Sequence, residues 1–340
     1  MKLTPLLVVV MVSLGCGKQA KVPTAPVAQK AAITKPKLKQ NPLPPPVSAP
    51  VFTLQDFDPN NADHNSTKKA IGAELGKPPA ELTQEDLGQV EKLDLFAIGI
   101  TDISPLAALS GLKRLNIVGN NIADLRALTG LTSLEVLYAC ENKISNLTPL
   151  ANLSKLRVLH LRKNFVSNLT PLSGLSSMLS LDLERNRVSD VSALAGTYNL
   201  RHLYLERNRL SPESDLSSLS RLRFLKTLSI RDNHVSDLSS LAGLDKMLWL
   251  ELDNNQVYDL SPLAGMKGLK KLYMENNKVR ILHPLVELTN LEIVQGRGNP
   301  ASSSETRKLM QALPKCSVKI GSFSQVPTRR NRNPAPPEKK

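Results

Sequence analysis

The sequence predicts an α/β repeat solenoid, with short parallel β-strands along a concave face, 3-10 turns along the convex face and a helical cap at each end. Three observations predict it. A pattern of 22 residues recurs through the middle of the chain in ten copies, with one slip to 25, and recurrence on that scale marks a repeat array. Within each copy apolar positions four and six alternate with polar neighbours, the period of a strand with one buried face. Aromatic residues are only 4% of a chain that is 41% hydrophobic, so the core is aliphatic. The 340 residues suit one elongated array or two ordinary domains better than a single compact core.

The N-terminus reads as an address. Met1-Lys2 is a short positive start, Leu6 to Leu14 is an apolar stretch too short to span a bilayer, and small residues lead to Cys16. This resembles a bacterial lipoprotein signal. The resemblance implies removal of residues 1–15 and acylation of Cys16, each buried CH₂ adding ~0.8 kcal/mol of membrane affinity. Gly15 fits the usual pattern, whereas Ser13 and Leu14 stand in swapped order. An ordinary secretory signal cut slightly later is the alternative. No longer apolar run follows, so no mature transmembrane helix is expected. Residues 16–52 read as a disordered Pro/Lys-rich linker. Residues 17–50 hold eight prolines and six lysines (Lys18, Lys21, Lys30, Lys35, Lys37, Lys39) and no acid. Proline fixes φ and lacks a donor, so this stretch is extended and partly stiff, reaching up to ~100 Å at ~3.1 Å per residue.

The formal net charge of +14 invites a nucleic-acid reading until it is located. Lys2, the six linker lysines and a C-terminal tail over 324–340, net +4, carry eleven of those charges. The folded middle is nearly balanced, and no nucleic-acid partner is expected. The basic tails read as solvated, disordered segments, or as loose contacts with an anionic surface.

Residues 53–89 read as a helical N-terminal cap, because an open solenoid end exposes core. Asn65-Ser66-Thr67 before Lys68–Leu75 predicts a capped helix ended by Gly76 and Pro78. Thr83-Gln-Glu-Asp86 has the spacing of a capping box. The ten copies occupy residues 90–299 and start at Val90, Leu112, Leu134, Leu156, Met178, Leu200, Leu225, Met247, Leu269 and Leu291. Position nine is asparagine in nine of them: Asn120, Asn142, Asn164, Asn186, Asn208, Asn233, Asn255, Asn277 and Asn299. An inward asparagine donates twice and accepts, satisfying backbone groups freed where the strand turns. The first copy has Ile98 there, as suits a terminal repeat.

The second half of each copy reads Asp/Asn-x-Ser/Thr-Pro-Leu, as in Asp102-Ile-Ser-Pro105 and Asn146-Leu-Thr-Pro149. Short polar side chains cap free N–H groups and proline suits a first helical position, which predicts brief 3-10 turns on the convex side. The Asn-Leu-Thr tripeptides at Asn146 and Asn168 therefore read as caps rather than sugar sites. Three extra residues near Pro212 are expected to project to that same side. Residues 300–323 read as a C-terminal cap, with a helix over Ser304–Leu313 and a final strand over Cys316–Ile320.

The pattern Leu112-x-x-Leu115-x-Ile117-x-x-Asn120-x-Ile122, repeated ten times, resembles the leucine-rich repeat family in its internalin-like 22-residue subclass. The resemblance covers residues 90–299. It implies a right-handed solenoid, a cell-envelope setting and a partner protein bound along the curve of the strands.

Catalytic signatures are absent: no H-E-x-x-H, C-x-x-C, G-x-S-x-G or P-loop occurs. Gly296-Arg-Gly298-Asn-Pro-Ala301 matches a dinucleotide fingerprint in form only, since no acid follows at the ribose distance of ~20 residues. Cys140 and His160 on neighbouring strands are two ligands, too few for zinc. Cys140 and Cys316 stand about seven strand spacings apart, ~34 Å, beyond disulfide reach, and both read as free thiols. His64, His234 and His283 read as surface or turn residues. No enzyme activity, cofactor or metal is expected, and the protein reads as a monomer.

What remains is the outward side of the strands, at positions three, five and seven. It collects Tyr138, Tyr204, Trp249 and Tyr273, with Trp249 the one tryptophan. Carboxylates gather from Asp182 to Glu275, with Glu184, Glu206, Glu251, Asp253 and Glu275 as candidate contacts beside the basic His160, Arg162 and Arg231. Aromatic side chains ringed by charge suit protein recognition. Aromatics stacking on sugars would suit a wall glycan or polymer instead, and a thiol enzyme around Cys140 and His160 is a third reading. A purely structural spacer is a fourth.

Overall fold

A computed structural model describes residues 49–321. The expected signal over 1–15, Cys16, nearly all of the linker and the tail over 324–340 lie outside the described residues. Eleven strands form one parallel sheet in strict chain order. They are β1 (Lys92–Asp94), β2 (Arg114–Asn116), β3 (Val136–Tyr138), β4 (Val158–His160), β5 (Ser180–Asp182), β6 (His202–Tyr204), β7 (Thr227–Ser229), β8 (Trp249–Glu251), β9 (Lys271–Tyr273), β10 (Ile293–Arg297) and β11 (Ser317–Gly321). Position four pairs with position four throughout, Leu93 beside Leu115 beside Leu137. The pairing of Leu203 with Leu228 absorbs the slip to 25 residues without loss of register. A one-residue error would turn every core leucine to solvent, which is why the register is so strongly specified. The strand over Ser317–Gly321 begins one residue after the predicted start and closes the sheet.

The buried interior is a continuous aliphatic column of leucine, isoleucine, valine and methionine. Each coil returns through a 3-10 turn, such as Thr148–Leu150, Thr170–Leu172 and Ser261–Leu263. The capping chemistry is as the sequence predicts. Asn146 Oδ1 accepts from the Thr148 N–H at 2.9 Å, Asn168 Oδ1 from Thr170 at 2.9 Å and Asp259 Oδ1 from Ser261 at 2.8 Å. The extra residues near Pro212 lie between the Asn208 turn and the 3-10 turn Ser217–Arg221, off the strand face.

The asparagine ladder couples neighbouring coils. Asn142 Nδ2 donates to Ile117 O of the preceding coil at 2.8 Å and to Ala139 O and Cys140 O of its own. Its Oδ1 accepts from the Ile122 N–H of the preceding coil at 3.0 Å. Because each asparagine reaches backward, a first coil has nothing to reach, and Ile98 stands there half exposed. The turns also hold a feature invisible in the sequence. The residue before each ladder asparagine is left-handed, with φ of 56° at Glu141, 55° at Lys163 and 54° at Arg185. Non-glycine residues resist that region by about 1–2 kcal/mol each, and the turn itself imposes it, since Ala97 adopts φ 51° before Ile98 with no asparagine beside it.

The N-terminal cap differs from its prediction in one boundary. Helix α1 spans Ala62–Leu75, capped by Asn61, whose Oδ1 accepts from the Asp63 and His64 N–H groups. Asn65-Ser66-Thr67 lies inside it, because Asn61 supplies the same capping chemistry four residues earlier. Helix α2 (Gln84–Gln89) carries the Thr83–Asp86 capping box as read. Helix α3 spans Ser303–Ala312 with Ser302 as its cap. His64 is buried, not on the surface, packed edge-on against Phe52 and Phe57. Its Nδ1 accepts from the Asp58 N–H at 3.0 Å, so Nε2 carries the hydrogen facing Asp102 Oδ2 at 3.0 Å and Ser104 Oγ at 3.2 Å. With neither nitrogen left to take a proton from Ser104, this cluster pins the cap to the first coil rather than forming a catalytic triad.

Candidate functional site

The sheet register places one column of side chains along the outward face. Tyr138, His160, Asp182, Tyr204, Ser229, Glu251 and Tyr273 follow one another on β3 to β9. Trp249 stands in the adjacent column on β8, and Arg162, Glu184, Glu206, Arg231, Asp253 and Glu275 sit two residues beyond the column. The structure divides these residues into two groups. Tyr138 and His160 form one, with ring centroids 5.2 Å apart and His160 Nε2 3.2 Å from Ser180 Oγ. Four strands further along, ~19 Å away, Trp249 and Tyr273 form the second, at 6.1 Å, with Lys271 Nζ 4.8 Å from the Trp249 ring centroid.

Carboxylates fill the space between. Glu184 is neutralised, with Arg162 Nε 3.1 Å from Oε2 but out of hydrogen-bond alignment, and Arg185 Nε 3.3 Å from Oε1. Arg231 leans toward Asp232 at 3.6 Å. Asp182, Glu206, Glu251, Asp253 and Glu275 form no ion pair among the described residues. Asp182 accepts from the Glu184 N–H at 2.9 Å and Asp253 from the Glu275 N–H at 2.6 Å. The Ser229 hydroxyl donates to Glu251 Oε2 at 2.9 Å. Two buried polar atoms here have no partner, Glu206 Oε2 and Trp249 Nε1. Asp182 and Ser229 join the site although the sequence reading did not choose them as contacts. Their signal was their place at position five of the same column.

Crowding and burial set the ionisation. Burial pushes the Asp182 carboxyl up to about 7, the Glu184 charge adding to it. Burial likewise pushes Glu206 up to about 8, helped by Asp182 and Glu184, and Asp253 up to about 6, helped by Glu275 and Glu251. Burial raises the Tyr204 phenol, with the carboxylates of Glu206, Asp182 and Glu251 adding to it. Burial holds His160 down at about 4, so it is neutral at pH 7.

These shifts make stability depend on pH with a definite sign. Unfolded carboxylates titrate near 4, so the folded chain holds extra protons between there and about 8 at Glu206. Stability therefore falls as pH rises through that window. His160 opposes this only below its unfolded value of about 6.5, so the interval above it isolates Asp182 and Glu206. Between about pH 6.5 and 8.5 the loss should be ~1 kcal/mol after solvent screening, or a fall in Tm of ~2–4 °C. Glu206→Gln should flatten the dependence. A Tm equal or higher at the alkaline end would contradict it.

One cysteine differs from its prediction. Cys140, at position seven, is fully buried and disulfide-bonded rather than a free thiol. Distance excludes only a bond to Cys316, and Cys316 is indeed free. Among the described residues no group of three or more His, Cys, Asp or Glu is placed to hold a metal ion. No helix among them is long and apolar enough to cross a membrane.

The outward surface is one parallel sheet, aromatic at two places and acidic between them. The family model for leucine-rich repeats in two copies matches residues 132–177. No curated protein matches the chain by sequence. Among solved structures, internalin C2 of Listeria monocytogenes is 33% identical with a TM-score of 0.54, over 68% of this chain and 92% of that one. Another Listeria monocytogenes internalin is 26% identical with a TM-score of 0.52, over 75% and 90%. A leucine-rich repeat protein of Leptospira interrogans shares the fold at 24% identity and a TM-score of 0.66, over 69% and 62%. Leucine-rich repeats generally serve as protein-interaction modules. The chain belongs to the internalin-like leucine-rich repeat proteins.

Proposed function

We propose that this protein is a non-catalytic recognition module of the bacterial cell envelope, of the 22-residue internalin-like kind. A lipid on Cys16 anchors it, and the concave face binds another protein. The observation that carries this reading is the outward face joining Tyr204, Trp249 and Tyr273 to Glu251, Asp253 and Glu275. Rigid aromatic side chains give contact area at low entropic cost, and carboxylates outside any ion pair among the described residues favour a basic patch on the other protein.

The mature protein serves as bait against envelope extract, beside a variant with Tyr138, Tyr204, Trp249 and Tyr273 all changed to Ser. A protein captured by the first and lost by the second, with unchanged circular dichroism, is the expected result. Equal capture, or retention on isolated wall polymer alone, overturns it. For the anchor, wild type is expected in the detergent phase and Cys16→Ser in the aqueous phase, and equal partition contradicts the lipid.

A further inference from the structure

The segments that lead into the strands form one rim of the solenoid, at the opposite end of the strands from the asparagine turns. Three large apolar side chains stand exposed there, before three consecutive strands. Tyr198 precedes β6 and is 48% exposed, Phe224 precedes β7 at 50%, and Leu248 precedes β8 at 37%. Cations stand among them. Arg201, Lys226, Leu248 and Lys270 form a column, one to a coil, in which each N–H donates to the carbonyl of the member before it. Lys226 donates to Arg201 O at 2.8 Å, Leu248 to Lys226 O at 2.8 Å and Lys270 to Leu248 O at 2.9 Å. Leu248 Cδ2 reaches across to the next coil, within 3.8 Å of where a Cβ on Gly268 would lie. Arg201 and Phe224 hold the same two positions on the sixth and seventh coils, which puts the cation beside the ring.

The acids of this rim are already matched. Lys246 Nζ is 3.4 Å from an oxygen of Asp245, Lys267 Nζ 4.0 Å from Glu287, and Lys270 Nζ 3.0 Å from Glu292. Arg201, Arg221, Arg223 and Lys226 form no ion pair among the described residues. Aromatic and aliphatic side chains interleaved with free cations suit the boundary of an anionic bilayer. Phenol, phenyl and leucine side chains enter between headgroups, while guanidinium and ammonium groups meet the phosphates. The apolar groups follow the solenoid axis at ~4.8 Å per coil, a strip that meets a flat surface along its whole length. The acidic column of the concave face starts three residues further on, with Glu251 ~10 Å along the strand from Leu248. That is beyond a Debye length at physiological salt, so those carboxylates do not cancel the attraction.

We propose that the rim of Tyr198, Arg201, Arg223, Phe224, Lys226 and Leu248 docks on an anionic phospholipid bilayer and lays the solenoid axis along the membrane. The strands then rise away from the bilayer and the concave face opens sideways, free for a protein partner. This rim is separate from the concave face, and its docking needs no acyl chain at Cys16.

The test uses the mature chain made without residues 1–15, and therefore unacylated, with vesicles of phosphatidylglycerol and phosphatidylcholine in equal parts. Wild type should cosediment with these and not with phosphatidylcholine alone. The basic residues outside the repeats contribute equally in every variant, so differences report the rim. R201Q/R223Q/K226Q should weaken binding by about a hundredfold, a factor of about five for each cation. Y198S/F224S/L248S should weaken it by about tenfold or more while leaving its salt dependence unchanged. K143Q/R187Q/R209Q removes three exposed cations from the opposite rim and should stay within about threefold of wild type, since those charges lie beyond the screening distance. Circular dichroism should be the same for all four. Three results overturn the proposal. Wild type stays in the supernatant, which would leave the rim to an acidic protein; or the opposite-rim variant loses as much as R201Q/R223Q/K226Q; or either variant of the docking rim binds as wild type does.

Discussion

Asn164→Ala should destabilise the protein by about 3–4 kcal/mol, more than deletion of most single surface contacts. Asn164 Nδ2 donates to Ala139 O at 2.9 Å and Leu161 O at 2.9 Å, and its Oδ1 accepts from the Ile144 N–H at 2.9 Å. The two carbonyls keep a second donor each, since Asn142 also reaches Ala139 O and Asn186 also reaches Leu161 O. The Ile144 N–H keeps none, so a buried donor is orphaned. Asn164→Asp should be worse near neutral pH, because a carboxylate would face two carbonyls that it cannot donate to. Stability in a solenoid is a sum over coils and their interfaces. The damage should therefore appear first as faster hydrogen exchange in the third and fourth coils, before the global Tm moves. A loss below about 1 kcal/mol, or exchange unchanged in those coils, would mean that the ladder is not what joins them.

The ladder also shows how far the sequence could be read. The 22-residue spacing and the alternation around Leu115, Leu137 and Leu159 specify register to the residue, because only one register buries all three. Caps at Asn146 and Asn168 were legible for the same reason: local hydrogen bonding depends on neighbours two residues away. The left-handed residues were not legible. Glu141, Lys163 and Arg185 have no intrinsic preference for positive φ, and the turn imposes it on whatever stands before the asparagine. His64 was misplaced because its burial depends on Phe52, Phe57 and Asp102, the last 38 residues distant. At the concave face, column membership of Tyr204, Glu251 and Tyr273 follows from the period. The ionisation of Asp182 and Glu206 does not, since it needs the curvature that crowds them. Pairing of Glu184 with Arg162 and Arg185 rather than a partner was equally out of reach.

Gly196→Ala should cost about 3 kcal/mol, while the same change at Gly174, one coil earlier at the equivalent position, should be neutral within about 0.5 kcal/mol. Neither glycine has a positive φ, so alanine fits both backbones and only space differs. A Cβ on Gly174 meets nothing within 4 Å. A Cβ on Gly196 would lie 1.8 Å from Ser173 O and 2.9 Å from Ser173 C. Those atoms are backbone of the adjacent coil and cannot swing aside as a side chain would. The difference follows the turns themselves: Gly196 ends a five-residue 3-10 turn, Ser192–Gly196, whereas the preceding coil has only Thr170–Leu172. Relief requires the fourth and fifth coils to separate, and that separation would strain the β4–β5 pairing at the edge of the acidic face. Gly196→Ala should therefore lower the Tm and also perturb Trp249 emission from three strands away, which Gly174→Ala should not. Equal stability of the two variants would mean that these coils are spaced more loosely than the approach of Ser173 to Gly196 requires.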